Sequence, residues 1–109
     1  MKNKKLTFDD LRKKNLKRLG EIHNCEEWDY PEWMMATMGE LGELANILKK
    51  IRRGSKVWND ETREEVRYEL ADTMIYLDLL ANCLNEDLGE AVREKFNLVS
   101  KKYNSKVTL

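Results

Sequence analysis

The chain has 109 residues, enough for one compact domain with a modest core. Twenty basic and twenty acidic side chains cancel to a formal net charge of zero, which removes any global attraction to nucleic acid or to an anionic membrane. One proline and five glycines are too few for the turns of an all-β fold, so the composition predicts long helices joined by short connections.

In chain order, four helices are expected within a single domain, residues 1–109. The first covers about 8–22, with Thr7 as its N-cap and Asp10 completing a capping box. Phe8, Leu11, Leu19 and Ile22 share one face, which Leu16 adjoins, and Asn15 on that stripe needs a hydrogen-bond partner. The second covers about 31–53. It opens at Pro31, which a first turn tolerates, and closes before Gly54, a natural residue for a helix end. Met34, Met38, Leu41, Ala45 and Leu48 form its apolar stripe. The third, about 60–84, is capped by Asn59 or Asp60. Its second half is apolar nearly all round, which predicts burial on all sides. The fourth, about 88–103, starts from Asp87 with Glu90 three residues on, and buries Leu88, Val92, Phe96, Val99 and Tyr103. Cys25 and Cys83 form no CxxC pair and read as reduced thiols of a cytoplasmic protein. No stretch approaches the roughly 20 apolar residues that span a bilayer.

The informative residues are acids where acid is costly. Ala36, Glu40, Glu43 and Ile47 line one stripe of the second helix, and Glu65, Glu69, Asp72 and Tyr76 one stripe of the third. A buried carboxylate without a partner costs several kcal/mol, and converging carboxylates repel one another. A divalent cation removes both penalties, and ligands that offer only oxygen favour Mg²⁺ or Mn²⁺. Glu40, Glu43, Glu69 and Asp72 are therefore the expected metal ligands. Gly39 and Gly42 flank the first pair, so either a neighbouring helix or a ligand approaches the backbone there.

Gly39-Glu40-Leu41-Gly42-Glu43-Leu44, with Asn46, Lys49 and Lys50, resembles the ExxE helix of MazG-like all-α nucleoside triphosphate pyrophosphohydrolases. Glu69-Leu70-Ala71-Asp72 is similar to that family's ExxD motif. Asp78-Leu79-Leu80-Ala81, Asp87 to Val92, and Lys95-Phe96-Asn97 with Ser100 resemble the remaining helices. The last of these, like Thr7 to Leu11 with Asn15 and Arg18, is closest in form to the small members found in bacteriophages. The likeness runs over about residues 7 to 104. It departs at Val99, where several cellular relatives carry an asparagine.

This resemblance implies an all-α, four-helix-bundle fold and Mg²⁺-dependent cleavage of a (deoxy)nucleoside triphosphate to monophosphate and pyrophosphate, for nucleotide-pool control or house-cleaning. It implies Glu40 or Glu43 as general base and Lys95 as a phosphate contact. Lys49, Lys50, Tyr76 and Asn97 join it as candidate substrate contacts, and Trp33 as a candidate for stacking on the base. It also implies a homodimer or homotetramer in the cytoplasm of a bacterium or a phage-infected host. A ferritin-like di-iron site needs Glu-x-x-His twice, and the only histidine, His23, has no such glutamate. The principal alternative is a non-catalytic helical regulatory or assembly module with a vestigial acidic site.

Overall fold

The computed structural model describes residues 4–109, the side chain of His23 excepted. Among them are four α-helices and no strand: α1 (Phe8–Leu19), α2 (Tyr30–Arg52), α3 (Asp60–Cys83) and α4 (Leu88–Lys102), with one 3-10 turn at His23–Cys25. The starts of α1, α3 and α4 carry caps expected from the sequence, and α2 has a cap that was not expected. Thr7 and Asp10 form both halves of a capping box. Asp29 caps α2, with Pro31 in the first turn. The Asn59 side chain, not that of Asp60, accepts the Thr62 N–H at 2.9 Å. Asp87 accepts the Glu90 N–H at 2.9 Å, but the expected second half of that box is missing. The Glu90 carboxylate pairs instead with Arg93, one turn along.

The ends of α2, α3 and α4 share one device. Gly54, Asn85 and Asn104 follow the caps with φ of 84°, 59° and 58°. In each case the next residue's N–H returns to the carbonyl five back: Ser55 to Lys50, Glu86 to Ala81, Ser105 to Ser100. These are Schellman motifs, and asparagine is the side-chain-bearing residue that best tolerates the left-handed position. Helix α1 stops three residues before the expected Ile22. Gly20 is a poor helix former, and Ile22 has already turned to extended backbone.

Helices α2 and α3 pack along each other, α1 lies on α3, and α4 touches parts of α1 and α3. The core is small: Trp33 and Leu44 from α2, with Val66, Leu79 and Ala81 from α3. Cys83 at the end of α3 donates its thiol hydrogen to Asp29 Oδ1 at 3.2 Å. That bond draws the Asp29 carboxyl below its ordinary range and lifts the thiol above its own. Two expected buried stripes are exposed in the single chain: Met34, Met38, Leu41 and Leu48 on α2, and Val92, Phe96, Val99 and Tyr103 on α4. Leu70 and Met74 of α3 are exposed too. Periodicity marks an apolar face but not whether the same chain covers it.

One polar cluster fastens α1 to α3. Asp78, 1% exposed, is the most deeply buried large side chain. Arg12 Nε donates to both its carboxylate oxygens, at 3.1 and 3.2 Å. Asn15 Nδ2 donates to Asp78 Oδ2 at 3.0 Å and to the Ile75 carbonyl at 3.2 Å. Arg12 also reaches the Glu86 carbonyl at 2.8 Å, tying in the turn before α4. The partner that Asn15 requires is thus largely structural. Removing one side of such a pair strands the other charge, so Asp78→Ala should lower unfolding free energy by about 3–5 kcal/mol. A urea midpoint unchanged from the native protein would show that α1 is held by other means.

Candidate functional site

The acidic positions of α2 and α3 meet where the two helices face each other. Glu40, Glu43 and Glu69 each bring one carboxylate oxygen within 4.8 Å of the other two. Glu40 and Glu69 are half-buried and Glu43 is exposed. Glu69 Oε2 is covered and has no hydrogen-bond partner. Its closeness to the Glu40 carboxylate, then burial, then the Glu40 and Asp72 charges push the Glu69 carboxyl above the ordinary glutamate range, against an opposing contact with Glu43. Three converging oxygens, one of them covered and orphaned, are a donor set that suits a hard divalent cation. Asp72, the fourth expected ligand, stands one turn along α3, half-buried and outside the three-oxygen cluster.

Asp72 lines a hollow of about 410 Å³ between α1, α2 and α3. Its walls are aromatic on one side and polar on the other. Trp33 packs edge-on against Trp28 at 4.6 Å and lies 6.2 Å from the Tyr76 ring. Asn15, Arg18, Asn24 and Cys25 line the same space. Burial, then the charges of Glu40 and Asp72, raise the Tyr76 phenol above its usual range, and Arg18 pulls it back. The hollow therefore reaches the acids of α3 through Asp72 and offers ring faces, amides and a guanidinium.

The other expected contacts divide. Lys49 shares a shallow hollow with Glu43, Gly39, Gly42 and Asn46. A Cβ built on Gly39 or Gly42 meets nothing within 4 Å, so no helix of the same chain approaches there. Lys50 contributes its carbonyl to the helix end, where it accepts from Ser55 and Lys56. Lys56, in the loop after α2, is bound to Glu65 at 2.9 Å. Lys95 lies in an apolar groove of α4 with Val92, Phe96 and Val99, a hollow that none of the four carboxylates lines. The Asn97 amide is engaged by the chain end: it donates to the Leu109 carbonyl at 3.2 Å and accepts the Leu109 N–H at 2.9 Å.

Arg18, Asn24, Cys25 and Trp28 were not singled out as site residues from the sequence. Arg18 lies one turn from Asn15, and the Asn15–Asp78 bond is what turns that side of α1 toward α3. Only a partner for Asn15 would have disclosed it.

The profile of the MazG nucleotide pyrophosphohydrolase domain matches residues 30–107. The chain is also similar to the Gene 37 protein of Mycobacterium phage L5, with 39% identity over 64 residues. That alignment spans 58% of this chain and 56% of the relative, so the chain matches a little over half of the relative's length.

The raised Glu69 carboxyl has a consequence for stability. Its folded state holds a proton more tightly than the unfolded chain does, so without divalent cation stability falls as pH rises from the ordinary glutamate value through the raised one. Glu69→Gln should remove that fall. The melting-temperature difference between variant and native protein should widen across this window in chelator, then level off. A pH-independent difference would mean that the carboxylates do not interact.

Proposed function

The chain belongs to the MazG nucleotide pyrophosphohydrolase family, and on that premise we propose that it hydrolyses (deoxy)nucleoside triphosphates to monophosphate and pyrophosphate with Mg²⁺ or Mn²⁺ as cofactor. The observation that carries this reading is the convergence of Glu40, Glu43 and Glu69 beside a hollow that Asp72 and aromatic rings line.

Glu69 acts as a ligand. Its Oε2 is covered and partnerless, so it suits a fixed cation better than a mobile water. Glu40, Glu43 and Asp72 complete the set. The bound cation would neutralise phosphate charge, polarise the α-phosphorus and lower the pKa of an attacking water. Glu40 or Glu43 takes that water's proton through an oxygen left free of metal. Glu43 is exposed, which leaves it accessible to solvent and substrate. Trp33 and Trp28 bound the base, Tyr76 orients the sugar or a carboxylate, and Arg18 and Lys49 supply positive charge on either side of the acids. A nucleotide in the 410 Å³ hollow thus presents its phosphates toward the carboxylate cluster. Lys95 contacts a phosphate only if a second chain or a movement of α4 brings it to the acids. No helix among the described residues is long and apolar enough to cross a membrane, and a cytoplasmic role in nucleotide-pool control or house-cleaning fits this activity.

The decisive assay offers a panel of triphosphates with Mg²⁺ and separates pyrophosphate from phosphate. Monophosphate and pyrophosphate should appear together, and chelator should stop them. Asp72→Asn and Glu43→Gln should each lose at least about 100-fold in kcat, roughly 2.7 kcal/mol of barrier, while keeping native helicity. Diphosphate with inorganic phosphate would mean attack at another phosphorus. No turnover of any triphosphate would favour a non-catalytic module.

A further inference from the structure

The acidic stripe of α3 continues past the cluster. Glu65 comes four residues before Glu69, about 6 Å nearer the start of the helix and on the same face. Tyr76 and Asp72 line the hollow, Glu69 belongs to the cluster, and Glu65 lies beyond it. Lys56 Nζ, from the loop between α2 and α3, sits 2.9 Å from Glu65 Oε2. A cation therefore closes the end of the acidic row.

The loop is built to keep that lysine in place. Of residues 53–59, Lys56 is half-buried and the others are exposed. The N–H groups of Ser55 and Lys56 both donate to the Lys50 carbonyl, at 3.0 and 3.2 Å. Arg53 Nε donates to Ser55 Oγ at 3.0 Å. On the far side, Asn59 accepts the Thr62 N–H and fixes the start of α3. A short loop tied at both ends gives Lys56 a defined position before any ligand arrives. An ammonium has three N–H donors, and Glu65 is the one acidic partner it meets among the described residues. Donors thus remain for a second anion. The two side chains are 32% and 39% exposed, and an ion pair this wet contributes little to stability. Stability alone gives little reason for a loop that holds this lysine.

On the reading that the protein hydrolyses triphosphates, a nucleotide with its base in the hollow lays its phosphates along this row. The α-phosphate then meets the cluster and the other two pass beyond it. We propose that Lys56 binds the β- and γ-phosphates and stabilises the departing pyrophosphate. As the water oxygen bonds to the α-phosphorus, the bond from that phosphorus to the bridging oxygen breaks. The bridging oxygen keeps the electron pair and leaves with pyrophosphate, while the water's proton passes to Glu40 or Glu43. Negative charge grows on the leaving group beside Lys56, which acts as a fixed positive charge and transfers no proton. Glu65 holds the ammonium at the end of the row.

Calorimetric titration with inorganic pyrophosphate and Mg²⁺ reads this contact without turnover. Lys56→Met should weaken pyrophosphate binding at least about tenfold, the loss of one charge-assisted contact. Its affinity for nucleoside monophosphates should stay native. Lys56→Arg should retain pyrophosphate binding, and Lys101→Met, on the exposed side of α4, should match the native protein. Should Lys56→Met misfold, reductive methylation of native protein decides: magnesium pyrophosphate should shield Lys56 and leave Lys101 reactive. Equal pyrophosphate affinity in native protein and Lys56→Met overturns the assignment, and so does an unshielded Lys56. Turnover to monophosphate and pyrophosphate beside either result would leave the hydrolase reading standing. A native protein that neither binds pyrophosphate nor turns over any triphosphate overturns both.

Discussion

Carboxylates held together between two helices are the constraint around which this molecule is organised. Glu40, Glu43 and Glu69 come within 4.8 Å of one another, at a separation where like charges oppose folding unless something positive intervenes. Helices α2 and α3 bear that repulsion because they are fastened on either side of it. Trp33, Leu44 and Val66 are buried between them, and the Cys83–Asp29 bond joins their ends. The acidic cluster is thus a local destabilisation supported by apolar packing, the usual relation between a site and its scaffold.

The second organising element is the Arg12–Asn15–Asp78 cluster, which determines where α1 lies. A buried charge network is weak evidence for stability, because desolvation offsets much of its attraction, but it specifies geometry strongly. Asp78 accepts from two side chains of α1 at once, so α1 cannot rotate on α3 without stranding a buried donor or acceptor. That fixed rotation brings Arg18 into the hollow beside Asp72 and Tyr76. A structural contact on one turn thereby positions a side chain of the hollow on the next.

The α2–α3 pair divides its surroundings by polarity. The acidic cluster and the aromatic hollow occupy one side, and methionine, leucine and arginine the other. That second side is left open, since α1 is held on α3 by Asp78 and Met34, Met38 and Leu41 remain exposed.

Much of this was determined by local sequence. Helix starts follow from Thr7, Asn59 and Asp87, whose side chains cap the N–H groups that follow them, and the end at Gly54 from its freedom to adopt positive φ; such interactions reach only a few residues, so a linear reading finds them, although Pro31 drew attention from the Asp29 cap beside it. The convergence of Glu40, Glu43 and Glu69 was legible because a carboxylate amid apolar neighbours at helical spacing needs a reason wherever the helix lies, whereas Asp72, expected with them, stands outside the three-oxygen cluster. What only the tertiary structure decided is which faces meet. Periodicity marks Met34 to Leu48, and Val92 to Tyr103, as apolar but does not say what covers them. It shows Asn15 in need of a partner but not that the partner is Asp78, 63 residues away. Arg18, Asn24 and Cys25 became part of the hollow, and Asn97 a latch for Leu109, through rotations set by contacts distant in sequence. A helix specifies its own caps and stripes through bonds within one or two turns, whereas the neighbour each stripe receives depends on packing the whole chain together.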